Sequence, residues 1–86
     1  MAYEIKITRQ AAKMLKRMPG QISKAIRKEL GKIASDPFAH NPKVTKLQNR
    51  EGYRLRVGNW RVIYEIQKEE IVILVLKIGS RGEVYR

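Results

Sequence analysis

The residues best suited to chemistry in this sequence are three arginines in a short segment that also carries a turn signal. Gly58 and Asn59 separate two stretches in which apolar and polar residues alternate, as in half-buried strands. Both residue types accept a positive φ, so the pair predicts a two-residue hairpin turn. That turn fixes the register and places Arg56 directly opposite Arg61, with Arg54 on the same face. The sequence therefore predicts a cluster of three guanidinium groups on one face of a hairpin.

This cluster brings like charges together, which is destabilising when two residues lie directly across from each other in a sheet. One interpretation is a solvated outer face, where the aliphatic stems cover the sheet and the charged ends reach water. The other is a preformed anion site, because guanidinium groups bind phosphate through two parallel hydrogen bonds. We favour the anion site, since selection for stability alone would rarely place Arg56 against Arg61.

The rest of the sequence predicts the elements that must position the hairpin. Thr8 is a suitable N-cap for a first helix, and Pro19-Gly20 ends that helix before a second one begins. Two helices joined by so short a turn form an antiparallel pair. The predicted elements are a strand at 3–7, helices at 9–18 and about 21–35, an irregular loop to about residue 50, and strands at 53–57, 60–67 and 71–78.

The face of the strand hairpin that lies opposite the arginines is apolar and suited to packing beneath these helices. Its residues are Tyr53, Leu55, Val57, Trp60, Val62 and Tyr64. The predicted fold class is therefore α+β in the order β-αα-βββ, a single domain over residues 1–86. In it, a helical hairpin packs on one face of a small, mainly antiparallel sheet.

The composition indicates a basic, soluble domain with an anionic partner. The 86 residues contain 19 Lys and Arg against 8 Asp and Glu, a net charge of +11, and residues 9–61 hold 14 basic but only three acidic side chains. With no cysteine there is no disulfide framework and no cysteine zinc site. The sequence shows no signal peptide and no apolar run near the roughly 20 residues that span a bilayer, so we expect a cytoplasmic protein.

Further basic residues fall on the predicted helices and in the last part of the chain. The helix lysines form a solvated face, and we expect contacts with RNA from Lys13, Lys24, Lys28 and Lys32. If the last strand is antiparallel to strand 60–67, its end returns toward Gly58-Asn59. Arg81 and Tyr85 would then lie near the three arginines, although the turn at 68–70 leaves this register open.

The hairpin segment 53–64, the tail 77–85 and the order of the elements resemble the RelE/ParE superfamily of bacterial toxins, most closely its RelE branch. The resemblance covers nearly the whole chain. It implies a ribosome-dependent endoribonuclease that cuts messenger RNA in the ribosomal A site. It also implies a cognate antitoxin that neutralises the toxin, and partners in the ribosome and mRNA, with no cofactor or metal and no membrane role.

The functional positions of that family can be transferred to this sequence one by one. The resemblance assigns catalytic roles to Arg56, Arg61, Arg81 and Tyr85, and an RNA-binding role to Arg54. The best-known RelE toxin has lysines at the positions of Arg54 and Arg56. Since arginine does not lose its proton in proteins, neither residue is a credible general base here. Tyr85 is then the default proton acceptor, while His40 is expected to be a surface loop residue.

Two other functions remain compatible with the sequence. A ParE-like inhibitor of DNA gyrase would share the fold but act on a protein, and a supercoiling assay beside a translation assay would distinguish it. A basic RNA-binding module without catalysis would bind phosphates in a salt-dependent way. Against that module, the arginine face lacks aromatic residues for base stacking, because Tyr53, Trp60 and Tyr64 lie on the other face.

Overall fold

The computed structural model describes residues 2–80, which form two helices and five strands. In chain order these are β1 (Glu4–Ile7), α1 (Arg9–Arg17), α2 (Gly20–Ser35), β2 (Val44–Lys46), β3 (Tyr53–Val57), β4 (Trp60–Gln67) and β5 (Val72–Ser80). The predicted order of strand, two helices and three long strands is confirmed. No helix within residues 2–80 is long and apolar enough to cross a membrane.

The strands form one mixed sheet in the order β1-β5-β4-β3-β2. The consecutive strands β2 to β5 pair antiparallel, which confirms the predicted mainly antiparallel sheet and adds the unpredicted strand β2 at its edge. β1 pairs parallel to β5, and the two helices carry the chain from β1 at one edge of the sheet to β2 at the other edge. β4 is therefore the central strand of the sheet, between β5 and β3, and it carries Arg61.

One face of the sheet packs against both helices, and this interface is the hydrophobic core. Leu15 of α1 and Ile26 and Leu30 of α2 are buried there. The sheet contributes the predicted apolar face of the hairpin, with Leu55, Val57, Val62 and Tyr64 buried, and Tyr53 and Trp60 packed at its margin. We call this face of the sheet the inner face and the opposite one the outer face.

The helix boundaries follow from local chemistry. The Thr8 side chain accepts a hydrogen bond from the Ala11 amide at 3.3 Å, which confirms the predicted N-cap of α1. Met18 is extended because it precedes Pro19, so α1 ends at Arg17. Pro19 is itself the N-cap residue of α2, and Gly20, predicted to break the helices apart, is the first residue of α2.

The structure corrects the sequence-based map at two places. The predicted irregular loop contains the short strand β2, whose three residues pair with β3 at the edge of the sheet. Three residues between two loop segments are too few to show a period of two, so the pattern gave no signal. Ile71 does not belong to the last strand, since it has a φ of 57° and lies in the turn before β5.

Candidate nucleic-acid interface

The predicted hairpin register is present in full. The five pairs run from Val57 opposite Trp60 at the turn to Tyr53 opposite Tyr64, and Arg56 lies opposite Arg61. Gly58 has a φ of 58°, the conformation that the turn required of it. Since the apolar residues of these strands face the helices, the alternation of side chains places the arginines on the outer face.

Backbone carbonyl groups of the hairpin turn hold the Arg61 side chain in place. Its Nη1 donates hydrogen bonds to the carbonyl oxygens of Gly58 and Trp60, both at 3.0 Å. These bonds fix the guanidinium plane at the end of the sheet and leave the N–H groups of Nε and Nη2 able to bind an anion. Within residues 2–80, no acidic side chain pairs with Arg61.

Arg56 and Arg54 complete the outer face of the hairpin in different environments. Arg56 is exposed and forms no side-chain hydrogen bond or ion pair among the described residues. Arg54 is half-buried and lies in register with Thr45 on one side and Ile63 on the other. Ile63 is only 5% exposed, although it lies on the outer face and not in the core that packs beneath the helices. The outer face therefore has a buried apolar residue beside the arginines.

The end of β5 lies beside the hairpin turn. Trp60 pairs with Ser80 and Arg61 with Gly79, which confirms that the last strand is antiparallel and returns toward Gly58. Two predicted site residues, Arg81 and Tyr85, lie outside the described residues. The chain nevertheless reaches Ser80 next to the arginine-bearing strand, one residue before Arg81.

The helix lysines lie on another part of the molecule. Lys13, Lys24 and Lys28 are exposed on helices that cover the inner face, so the sheet separates these helices from the outer-face arginines. Lys32 lies 3.4 Å from a carboxylate oxygen of Glu29, which Lys43 also approaches at 3.5 Å. The structure therefore brings Arg54, Arg56 and Arg61 together but does not bring the lysines to them.

The sequence interpretation missed Lys77. It lies in β5 in register with Ile63, and thus in the same row across the outer face as Arg54. The apolar run over residues 71–76 predicts a strand buried on both faces, and such a run shows no alternation that would assign Lys77 to one face. The side that Lys77 occupies depends on contacts with a distant part of the chain, so no local pattern in this segment could have identified it.

A cavity of about 570 Å³ lies on the other side of the sheet, between α2, the loop after it and two stacked tyrosines. The rings of Tyr53 and Tyr64 are 5.4 Å apart and inclined by 21°. Burial, together with the neighbouring Tyr53, raises the pKa of Tyr64 above its ordinary value. Tyr64 therefore stays neutral at physiological pH and is unsuited to accept a proton.

Metal ligands do not cluster in the described part of the chain. Among residues 2–80 no group of three or more His, Cys, Asp or Glu side chains could hold a metal ion. His40 is exposed in the loop after α2 and lines the inner-side cavity, as expected for a surface residue. Besides the arginines, the outer face carries the carboxylate of Glu65, which lies on the same side of β4 as Arg61 and Ile63.

The two opposed arginines should respond differently to mutation. We expect Arg56→Gln to raise the free energy of unfolding by a few tenths of a kcal/mol, because it removes repulsion between directly opposed like charges. Arg61→Gln should not do so, since it also removes two hydrogen bonds to the turn. Urea denaturation of both variants measures this difference. A less stable Arg56→Gln variant would contradict the repulsion on which the anion-site interpretation depends.

Comparison with known proteins agrees with this fold. Residues 5–85 match the family model described as the ParE toxin of the type II toxin-antitoxin system parDE. The mRNA interferase toxin RelE of Escherichia coli is 24% identical over 99% of this chain and 92% of its own length. Toxin RelG of Mycobacterium tuberculosis is 27% identical over 100% of this chain and 99% of its own.

A solved structure gives a closer match. The chain superposes on the crystal structure of the archaeal RelE-RelB complex from Pyrococcus horikoshii with a TM-score of 0.82 and 30% identity, covering 96% of this chain and 99% of that one. The fold and the match over nearly the whole chain define a toxin of a type II toxin-antitoxin system. The chain belongs to the RelE/ParE family of such toxins, which confirms the resemblance noted in the sequence.

Proposed function

We propose that this toxin is a ribosome-dependent endoribonuclease that cleaves messenger RNA in the ribosomal A site. The observation that carries the proposal is the Arg56–Arg61 pair, in which like charges are directly opposed and Arg61 is fixed by two hydrogen bonds. A phosphate bound between them removes the repulsion and uses the N–H groups that remain on Arg61. The name of the Escherichia coli relative, an mRNA interferase, supports RNA as the substrate.

The reaction uses a nucleophile that RNA itself supplies. The 2′-hydroxyl oxygen attacks the adjacent phosphorus as it loses its proton, and a new bond between this oxygen and phosphorus forms. The bond from phosphorus to the 5′-oxygen breaks, and that oxygen leaves with a proton. The products are a 2′,3′-cyclic phosphate and a 5′-hydroxyl, and the protein has to assist one charge change and two proton transfers.

The arginines supply charge stabilisation for this reaction. Arg56 and Arg61 bind the non-bridging phosphate oxygens, whose negative charge increases when phosphorus becomes pentavalent. Arg54, which lies on β3 two residues before Arg56, orients the phosphate or the neighbouring RNA backbone. Arg81 neutralises the leaving oxygen, and Tyr85 accepts the 2′ proton after the arginines lower the pKa of its phenol.

This division of tasks explains why the toxin requires the ribosome. Among the described residues of the outer face there is no histidine, and the arginines cannot exchange protons at physiological pH. Alignment of the 2′-oxygen with the bond to be broken is then the largest remaining contribution to the rate. The ribosome supplies that alignment by holding the mRNA in the A site.

A neutralising antitoxin is the second partner that we propose. Solved relatives of this chain include the RelE-RelB complex of Pyrococcus horikoshii and the RelB-RelE antitoxin-toxin complex of Methanococcus jannaschii. The high positive charge of this toxin favours a partner segment that is acidic or amphipathic. Neutralisation would follow if that segment covers the outer face or displaces the chain beyond Ser80.

The chemistry of the RNA ends tests the proposed reaction. Cleaved mRNA should carry a 2′,3′-cyclic phosphate or 3′-phosphate, because the attacking oxygen belongs to the substrate. Cleavage should also survive EDTA when ribosome integrity is controlled separately, for example by sedimentation. Mapping of 5′ ends after induced expression should locate the cuts within translated codons. Ends with a 5′-phosphate, or a chemical step that depends on added magnesium, would contradict the mechanism.

A ParE-like inhibitor of DNA gyrase is the second candidate, since the matching family model is described as a ParE toxin. Such a toxin would act through protein contacts and would not need the opposed arginines as a phosphate site. Purified toxin should be added to gyrase supercoiling and to translation in separate assays. Loss of supercoiling with intact mRNA would favour the gyrase inhibitor, whereas mRNA cleavage with normal supercoiling supports the nuclease.

A further inference from the structure

The pairing of β4 with β5 contains one irregularity. Ile63 lies opposite Lys77, but the next residue of β4, Tyr64, lies opposite Val75. Leu76 is therefore an extra residue on β5, which defines a β-bulge. The bulge shifts the alternation of side chains along β5. Residues before Leu76 and residues after it therefore alternate between the two faces in opposite phase.

This shift decides which side of the sheet Lys77 occupies. Val75 and Ile78 are both buried in the core although they are three positions apart, a spacing that a regular strand does not allow on one face. Without the bulge, the same strand would direct Lys77 into the apolar core and Ile78 to the outer face. The bulge at Leu76 therefore places the ammonium group of Lys77 on the arginine face.

The first turn of α1 holds the bulge in place. The hydroxyl of Thr8 donates to the Leu76 carbonyl oxygen at 2.7 Å, and the Thr8 amide donates to the Val75 carbonyl oxygen at 3.0 Å. The Gln10 side chain donates to the Ile78 carbonyl oxygen and accepts from the Ile78 amide, both at 3.2 Å. Side chains at the start of α1 thus satisfy the backbone groups of Leu76 and Ile78, and the Thr8 amide satisfies the Val75 carbonyl.

On the outer face, Lys77 lies close to two of the arginines. Arg54, Ile63 and Lys77 form one row across three neighbouring strands, so about 10 Å separates the first and last backbone positions. Arg61 is paired with Gly79, two residues along β5, which makes Lys77 its diagonal neighbour. Extended arginine and lysine side chains can span these distances and bind the same phosphodiester or two adjacent ones.

We propose that Lys77 is a fourth cation of the arginine face and contacts an RNA phosphate, and that Thr8 and Gln10 are positioning residues that hold it there. The choice of RNA as the ligand rests on the proposed function, whereas the position of Lys77 does not. A compact ammonium group complements the planar arginines, because it binds one oxygen as a point charge without demanding a fixed orientation.

The salt dependence of RNA binding tests the contact directly. Binding of a synthetic single-stranded oligoribonucleotide to the full chain is measured without ribosomes over a range of salt concentrations. Lys77→Gln should weaken binding about fivefold near 0.1 M salt, and should reduce the slope of log K against log salt by about 0.7, the value for one lost phosphate contact. Lys77→Arg should retain the wild-type slope, because it keeps the charge.

Lys68→Gln is the matched control, since it removes the same charge from the opposite end of the β4–β5 pair. It should leave the slope unchanged. An unchanged slope in Lys77→Gln, or an equal reduction in both variants, overturns the proposal. This assay contains no ribosome, so a protein that binds through Lys77 but does not cleave mRNA would contradict the proposed function alone.

The positioning role requires a readout beyond stability. Thr8→Val removes the hydrogen bond to Leu76 and should lower the salt slope toward that of Lys77→Gln, while Thr8→Ser should keep the wild-type slope. Combining Thr8→Val with Lys77→Gln should reduce the slope no further. If Thr8→Val does not fold, Gln10→Ala serves as the second variant. A variant that lowers the melting temperature but leaves the slope unchanged shows a purely structural role and contradicts positioning.

Discussion

Arg61→Ala is expected to lower the rate of mRNA cleavage on the ribosome by about a hundredfold or more, the loss typical of removing one donor to the charge that develops in a transition state. The size of the effect follows from the fixed geometry of the side chain. Hydrogen bonds to Gly58 and Trp60 fix the orientation of the guanidinium before the reaction begins, so little reorganisation is needed when phosphorus becomes pentavalent. Quantitative primer extension on programmed ribosomes measures the rate.

Two further variants separate this effect from a general loss of charge. Arg27→Ala removes one arginine from the exposed surface of α2, a helix that packs on the inner face, and should leave the cleavage rate nearly unchanged. Arg61→Lys keeps the charge but loses the planar pair of donors, so its cleavage rate should remain well below that of the wild type. Equal losses in Arg27→Ala and Arg61→Ala would mean that the arginine face acts only by attracting RNA.

Leu55→Ala should have the largest effect on stability. Leu55 is fully buried in the core, and it lies on β3 between Arg54 and Arg56. Removing a buried leucine side chain leaves a cavity and costs about 3 kcal/mol of the free energy of unfolding. For a domain of this size the melting temperature should fall by roughly 12–24 °C. Thermal unfolding followed by circular dichroism measures the change.

Phe38→Ala is the control for this prediction, because Phe38 is 55% exposed and its removal leaves no internal cavity. It should change the melting temperature by only a few degrees. A Leu55→Ala variant as stable as Phe38→Ala would contradict the packing of the hairpin beneath the helices. Leu55→Ala should also show near-normal cleavage per folded molecule at low temperature, in contrast to Arg61→Ala.

The part of the site that could be predicted from the sequence is the part that one local signal determines. Gly58-Asn59 fixed a two-residue turn, and a two-residue turn permits one register, so the position of Arg56 against Arg61 followed without tertiary information. The same reasoning separated the apolar inner face from the arginines. The turn at 68–70 does not fix the return of the last strand, so its antiparallel pairing with β4 is a finding of the structure.

The features that escaped prediction depend on contacts between distant parts of the chain. The bulge at Leu76 is stabilised by Thr8, 68 residues earlier, so no window around β5 could reveal it. The short strand β2 exists because β3 offers it an edge, and the three residues carry no pattern of their own.

The place of β5 in the sheet also limits when the toxin can fold during its synthesis. β5 is the last of the five described strands to be translated, yet it lies between β1 and β4 and joins the first strand to the others. A nascent chain that ends before Ser80 has left the ribosome cannot pair β1 or close the core against α1. We therefore expect the arginine face to be assembled, and the toxin to become active, only after translation has passed β5.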